Sequence, residues 1–251
     1  MDIDGFLKIV RKRRSIRRFV PGLPISDEHV RKILEAGRWA MSGGNGQPWE
    51  FIVVRDQQTR DRIADASMEH RFEQLAIELT RVSDIAHPQH GRPPEAESYR
   101  TAQLLIAVLG DRRAYQATAL SPMFMPGPEE TNGVYVMNIA NACNNICLAV
   151  TALGYSCQWS TVNRMWEETI KETLDIPVML DVFTLIPIGY PAYKPSSVYR
   201  RELDELVHYE KYDRKRYRTG NDVINWVKHL REMTVGAYRQ AESDDDKSGS
   251  A

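Results

Sequence analysis

The sequence predicts a layered fold of the α/β or α+β class, in which helices cover a β-sheet. Three short apolar runs have the length and composition of strands, at residues 49–54, 104–109 and 182–188. Helical segments separate these runs, which is typical of layered folds. No internal repeat or linker rich in Gly, Ser or Pro divides the chain, so we expect one domain over residues 1–240.

The first part of the chain is predicted to contain two helices, a loop and the first strand. Residues 3–14 form the first helix, and the prolines at 21 and 24 break the chain after it. Ser26, followed by two acidic residues, is a good N-cap for a second helix that runs to about Ala40. Residues 41–48, here called the glycine loop, then lead into the strand at 49–54.

The middle of the chain alternates irregular and regular segments. Residues 57–83 are predicted to be helical, 87–94 a proline-containing loop, and 121–128 an irregular apolar loop. His87 and His90 lack a nearby third ligand, so no metal site is expected.

Residues 131–163 contain no charged side chain. This length could span a bilayer, but its six asparagines would be costly in hydrocarbon. We therefore expect no membrane span and predict a central helix over about 133–153, buried on nearly all sides. Asn138, Asn141 and Asn145 share one face of this helix, where they either pair across a subunit contact or are satisfied within the same chain.

The last part of the chain is predicted to begin with a strand from Gly154 through Trp159. A short helix over 166–174 and the strand at 182–188 follow. A helical, charged tail begins at about Asn221, within an extension that starts near 209. Residues 241–251 are acidic and rich in small residues, so we expect them to be disordered.

Charge and cysteine content limit the class of protein. The chain has 33 basic and 34 acidic residues, which argues against a dedicated nucleic-acid-binding protein. Three cysteines are too few for a disulfide framework, and no apolar run follows the basic N-terminus. We therefore expect a cytoplasmic protein.

Six cations lie within residues 11–18, here called the cationic segment. Such a density calls for an anion: nucleic acid, a membrane surface or a phosphorylated cofactor. Guanidinium groups around a hydroxyl, as at Arg13, Ser15 and Arg17, suit a phosphate. A solvated basic helix end is the alternative.

Two other segments have the composition of ligand sites. The glycine loop places a hydroxyl and two amides among glycines, which permit close backbone approach. Arg200 and Arg201 form a second cationic pair, which on its own is more typical of surface charge.

Together these segments resemble the FMN-dependent nitroreductase family. The matching motifs are Arg-Arg-Ser-x-Arg-x-Phe from Arg13, Ser-Gly-x-Asn-x-Gln-Pro-Trp-x-Phe from Ser42, Gly-Tyr-Pro at 189–191 and Arg-Arg-x-Leu from Arg200. The resemblance implies an α+β, three-layer fold with a central mixed, mainly antiparallel sheet flanked by helices. It further implies an interlocked homodimer in which each FMN touches both chains.

The resemblance also implies roles for residues. Arg13, Ser15 and Arg200 would hold the FMN phosphate, with Arg17 near the ribityl chain and the pyrimidine edge of the ring. The glycine loop would line the ring and ribityl chain, and residues 159–161 would run along the ring. The candidate cofactor-binding residues are Arg13, Arg14, Ser15, Arg17, Met41, Ser42, Gly43, Asn45, Trp159, Ser160, Thr161, Arg200 and Arg201.

The implied activity is ping-pong reduction of a nitroaromatic, quinone or other conjugated small molecule, with NADH or NADPH as electron donor. No catalytic acid is assigned. Reductive dehalogenation and flavin breakdown are alternatives within the family, and nucleic-acid binding through the cationic segment is an alternative of another class. Two departures from the family pattern concern Met41, where proline is usual, and the bulky Trp159.

Overall fold

A computed structural model describes residues 2–80, 96–114, 128–162, 164–195, 198–230 and 232–233. The loops predicted at 87–94 and 121–127, and the tail at 241–251, lie outside the described residues. The chain divides into two compact units, the first reaching Tyr193 and the second beginning at Lys194. The expected single domain over 1–240 remains a prediction.

The first unit contains helices and strands whose bounds lie within the described residues. The helices are α1 (Ile3–Lys12), α2 (Asp27–Arg38), α3 (Gln57–Glu78), α4 (Glu97–Thr101), α5 (Pro128–Ala152) and α6 (Arg164–Leu174). The strands are β1 (Trp49–Val54), β2 (Leu104–Asp111), β3 (Ser156–Cys157), β4 (Ser160–Thr161) and β5 (Leu180–Gly189).

The strands form one sheet in the order β1-β2-β5-β3, with β4 also paired to β5. Every pairing between these strands is antiparallel. A parallel bridge between Ser15 and Cys157 adds the cationic segment to the edge of the sheet. The α+β class and the mainly antiparallel sheet are therefore confirmed.

Helices cover both faces of the sheet, so the three-layer prediction is confirmed as well. Alternate residues of a strand point to opposite faces, and β2 is buried on both. Leu104, Ile106 and Val108 pack in one cluster with side chains of α2 and α5. Leu105, Ala107 and Leu109 pack in the other cluster with side chains of α3 and α6.

Element boundaries follow the predictions with a few exceptions. Ser26 is the N-cap of α2, since its Oγ accepts a hydrogen bond from the backbone N–H of His29 at 3.2 Å. The helix α1 ends at Lys12 rather than Arg14, because Arg13 adopts φ −56° and ψ 125°. The helix α4 was not predicted.

The continuous strand predicted over 154–159 is wrong. Gly154 lies in the turn after α5 with φ +86°, a conformation that favours glycine. The segment then forms two short strands, β3 and β4, which pair with separate parts of β5. The interruption at 158–159 turns Trp159 toward solvent.

The central helix α5 is long and apolar enough over Gly133–Ala152 to cross a membrane, by length and composition only. It packs against α2 and the sheet, so it serves as a core helix. It is not buried on nearly all sides as predicted, because Met137 is 58% exposed and Asn144 is also exposed. A stripe along α5 is thus left uncovered by its own chain.

The described part of the second unit covers 194–195, 198–230 and 232–233. It contains 3-10 turns at Leu203–Glu205 and Arg214–Arg216, and the predicted tail helix, observed over 220–230. Arg201 forms an ion pair with Glu205 at 3.0 Å, and the guanidinium of Arg218 lies 5.7 Å from the ring centroid of Trp226. The side chains of these four residues line a cavity of about 700 Å³ within this unit.

Candidate functional site

The cationic segment is fixed to the sheet through its backbone. Ser15 pairs with Cys157 of β3, and the backbone N–H of Ile16 donates to the carbonyl of Cys157 at 3.0 Å. The side chain of Ile16 is only 1% exposed. Because neighbouring side chains of an extended segment point to opposite sides, burial of Ile16 directs Ser15 and Arg17 away from the core.

The end of β5 holds the other side of this segment. The backbone N–H of Val20 donates to the carbonyl of Tyr190 at 2.9 Å, and that of Ala192 donates to the carbonyl of Arg18 at 3.1 Å. The hydroxyl of Tyr193 accepts a hydrogen bond from the backbone N–H of Arg17 at 3.2 Å. The segment therefore has little freedom to move its backbone.

The four arginines at 13, 14, 17 and 18 differ in what they contact. Arg14 donates to the carbonyls of Arg11 and Arg13, so it covers the end of α1. The guanidinium of Arg18 lies 4.0 Å from the carboxylate of Glu97. Within the described part of the chain, neither Arg13 nor Arg17 forms an ion pair. These two cations remain available to an external anion, with the partly buried Ser15 between them.

Cys157 lies beneath the cationic segment, next to Cys147 of α5. Both thiols are buried, as is that of Cys143, and all three are free. The hydrogen bond between the two sulfurs lowers the pKa of Cys147, whereas the same bond and burial raise the pKa of Cys157. These residues serve as small core side chains under the site.

The glycine loop has an unusual backbone. Gly44, Asn45 and Gln47 have φ values of 59°, 53° and 45°, in the left-handed region that asparagine tolerates and longer side chains rarely adopt. The Oγ of Ser42 accepts a hydrogen bond from the backbone N–H of Gln47 at 3.0 Å. Met41 precedes this turn with its side chain 78% exposed.

The helix α5 holds the glycine loop through asparagine side chains. The Oδ1 of Asn138 accepts from the backbone N–H of Gly43 at 3.1 Å, and the Nδ2 of Asn141 donates to the carbonyl of Met41 at 3.2 Å. The Nδ2 of Asn145 donates to the carbonyl of Ala36 at 3.1 Å. Each of the three amides therefore has one hydrogen-bond partner within the same chain.

Residues 159–161 present different faces. Trp159 is 38% exposed, and Thr161 is also exposed. Ser160 is buried, with its hydroxyl hydrogen-bonded to the hydroxyl of Tyr99 and its carbonyl accepting from Thr184 Oγ1 at 2.7 Å. Burial raises the pKa of the Tyr99 phenol. The side chain of Ser160 is thus directed into the protein, which leaves its neighbours to face a ligand.

Each predicted segment has its own surroundings in the structure. The cationic segment pairs with β3 at Cys157, whose thiol contacts that of Cys147 in α5. The glycine loop contacts Asn138 and Asn141, in the middle of the same helix. The six to nine residue steps from these asparagines to Cys147 span about 9–14 Å at 1.5 Å per residue.

Arg200 and Arg201 belong to the second unit. Arg201 is paired there with Glu205, and the guanidinium of Arg200 donates to the carbonyl of Tyr199.

Sequence reasoning did not find Tyr193 or Tyr99 as supports of the site. Tyr193 follows the Gly-Tyr-Pro turn at 189–191, and that proximity was the only available signal. Tyr99 contacts Ser160 from 61 positions away, and no local pattern marks such a contact.

The donors present fit a phosphorylated aromatic cofactor such as FMN. Arg13, Arg17 and Ser15 offer unpaired positive charge and a hydroxyl to a phosphate. Trp159 offers an exposed aromatic face. Asn138 is 4% exposed, and its Nδ2 has no hydrogen-bond partner among the residues that the structure describes, so a buried donor is left next to the glycine loop.

The chain matches known proteins over most of its length. The model of the Nitroreductase family matches residues 10–190. A candidate NADH dehydrogenase/NAD(P)H nitroreductase from Archaeoglobus fulgidus is 30% identical, over 75% of this chain and 87% of that protein. Iodotyrosine deiodinase 1 from Rattus norvegicus is 35% identical, over 82% of this chain and 70% of that protein.

A solved structure matches as well. The crystal structure of a candidate nitroreductase in complex with FMN, from Desulfovibrio desulfuricans, is 30% identical with a TM-score of 0.57. The match covers 83% of this chain and 98% of that one.

Proposed function

The chain belongs to the nitroreductase family, and on this basis we propose that it is an FMN-dependent oxidoreductase. It would take electrons from NADH or NADPH and reduce a nitroaromatic, a quinone or another conjugated small molecule in a ping-pong cycle. Bound FMN would supply the hydride chemistry. The residues of this chain would bind and orient the cofactor and its substrates.

One observation carries the proposal: among the residues that the structure describes, Arg13 and Arg17 form no ion pair, and the sheet holds their backbone in place. Arg13 and Ser15 would bind the phosphate. Arg17 would lie at the pyrimidine edge of the ring, where a fixed positive charge stabilises the negative charge that develops on reduction. Since the hydrogen bonds of this segment are already formed, binding requires little reorganisation of the backbone.

Other predicted residues divide into two groups. Arg200 is proposed as a third phosphate ligand, since within the described part of the chain its guanidinium donates only to a neighbouring carbonyl. Trp159 and Thr161 would face the ring and the substrate. Arg14, Ser160 and Arg201 already have partners within the protein, so we propose that they support the site. No side chain is assigned as a general acid.

We also propose a homodimer, in which the glycine loop of one protomer completes the site of its partner. Within one chain this loop contacts α5 at Asn138 and Asn141, whereas the cationic segment lies over Cys157, next to Cys147. Exposed apolar side chains at Ile3 and Phe6 of α1 and at Met137 of α5 offer a surface for the second copy. The extension after 209 is expected to wrap the partner subunit.

All three cysteines are free thiols, and this supports a cytoplasmic location.

The proposal is tested on the purified protein. We expect it to be yellow and to release FMN on heat denaturation, measured by flavin fluorescence. NADH or NADPH should bleach the bound flavin under anaerobic conditions, and a nitroaromatic or quinone should restore its colour. A protein that stays colourless after incubation with FMN would contradict the proposed function.

Reductive dehalogenation is a second candidate, favoured by the 35% identity to a protein named iodotyrosine deiodinase 1. Halide release from a halotyrosine by the reduced protein, faster than nitroaromatic reduction, would favour it.

Nucleic-acid binding has less support, because Arg14 and Arg18 of the cationic segment already have partners within the protein.

A further inference from the structure

The part of α5 from 131 to 152 carries no charged side chain and contacts the glycine loop and the end of α2 through uncharged amides. Asn138, Asn141 and Asn145 follow one another along a face of α5, and each forms one hydrogen bond to the backbone of residues 36–43. Ala36 lies in the last turn of α2, where carbonyls lack an intrahelical partner. The amides therefore satisfy backbone groups that the loop and the helix end leave free.

The backbone of the glycine loop needs such support. Asn45 and Gln47 have positive φ, a conformation that costs energy for residues other than glycine and persists only where the surroundings fix it. The loop is exposed at Met41, Gly43 and Asn45, so packing alone does not fix it. Asn138 and Asn141 of α5 hold the first half of the loop by hydrogen bonds to the backbone of Gly43 and Met41.

We propose that Asn141, together with Asn138 and Asn145, is a positioning residue that holds the glycine loop in the conformation that binds FMN. This inference rests on the proposed function. If it is right, the amides raise the affinity for FMN. Amides that only support the core would affect the stability of the protein and leave the affinity unchanged. The physical reason is pre-organisation: a loop that is already ordered loses less conformational entropy when the ligand binds.

Gln58 of α3 provides a control away from this surface. Its side chain is exposed and forms no hydrogen bond with any other residue that the structure describes. Asn141→Asp and Gln58→Glu both replace an amide by a carboxylate of the same size. Only Asn141→Asp removes an amide that donates to a carbonyl.

The first measurement is hydrogen–deuterium exchange of peptides covering residues 40–47 in the FMN-free protein. We expect exchange to be about three- to tenfold faster in Asn141→Asp than in wild type, the range that corresponds to loss of one hydrogen bond. In Gln58→Glu it should stay within about twofold of wild type, as for other surface changes.

The second measurement is the affinity for FMN, followed by fluorescence quenching. Asn141→Asp should raise the Kd about three- to tenfold, again the effect of one hydrogen bond. It should also alter the visible circular dichroism of the bound flavin, which reports ring orientation. A residue with only a structural role would change the melting temperature without changing this spectrum.

The outcomes separate the two proposals. A wild-type protein that takes up no FMN overturns the proposed function and, with it, the cofactor role of the amides. A wild-type protein that binds FMN, with equal Kd and equal loop exchange in the two variants, overturns the positioning role alone. If Asn141→Asp does not fold, Asn141→Ala and Gln58→Ala allow the same comparison, because alanine is the best helix former.

Discussion

The two candidate ligand segments near the central helix are held in opposite ways. The cationic segment is fixed by its backbone, through Cys157, Tyr190 and Ala192, and the side chains of Arg13 and Arg17 form no ion pair with any residue that the structure describes. The glycine loop is held by asparagine side chains of α5, and its backbone N–H groups at 45, 46 and 47 donate within the loop, so that its exposed side chains are what it can offer. A segment can offer to a ligand only the groups that its own folding does not use.

The largest effect is expected where the cationic segment enters the core. Ile16→Ala should lower the free energy of unfolding by about 2–4 kcal/mol, because it removes a fully buried side chain. Urea denaturation measures this. Val178, which is exposed, gives the control Val178→Ala. A loss below about 1 kcal/mol, in the range of ordinary surface substitutions, would contradict the view that the sheet fixes this segment.

The next effect concerns the unpaired cations. Arg13→Ala should weaken FMN binding by about 10- to 100-fold, since hydrogen bonds to charged groups contribute roughly 1.5–3 kcal/mol. Isothermal titration calorimetry on the apoprotein measures the Kd. Lys12→Ala removes a neighbouring charge from the last turn of α1 and serves as control. Equal losses in both variants would indicate a general charge effect without a specific site.

A smaller effect on FMN binding is expected in the glycine loop. Ser42→Ala removes the acceptor for the backbone N–H of Gln47 and should weaken FMN binding by about two- to tenfold, the range for one neutral hydrogen bond. The same titration measures it. Ser42→Thr keeps the hydroxyl and should restore most of the affinity. If Ser42→Ala raised the Kd for FMN more than Arg13→Ala does, the proposed difference between the glycine loop and the cationic segment would be contradicted.

The smallest effect is a pH dependence at the end of α2. Hydrogen bonds from Arg38 and Trp39 lower the pKa of Glu35 to about 2. A carboxyl whose pKa is lower in the folded state stabilises the protein above its ordinary pKa of 4.5, and this contribution disappears as the pH falls toward 2. Exposed ion pairs contribute little, so the difference in melting temperature should be small.

The melting temperatures of wild type and Glu35→Gln should therefore differ at pH 6 and converge by about pH 2.5. Glu168→Gln, at an exposed position of α6, is the matched control. A difference that grows as the pH falls would contradict the assigned direction.

Local patterns in the sequence predict the elements whose formation depends on residues close together in the chain. The run at 49–54 is β-branched and aromatic, and it forms a strand with the predicted bounds. Ser26 caps α2 because its hydroxyl satisfies a nearby backbone group. In each case the relevant contacts lie within a few residues.

The failures concern contacts between distant residues. The segment after Gly154 was predicted as one strand, but its pairing depends on which part of β5 lies opposite. The asparagine stripe was recognised, yet its partners could be identified only once the glycine loop was placed against α5. The inward direction of Ser160 likewise depends on Tyr99, which contacts it from 61 positions away.

The strand β2 contributes alternate side chains to both hydrophobic clusters. Neither helical layer can therefore detach from the sheet without exposing part of the same strand. The amide protons of β2 should exchange only when the whole first unit unfolds, so that the two ends of α5 lose their structure together in one cooperative step.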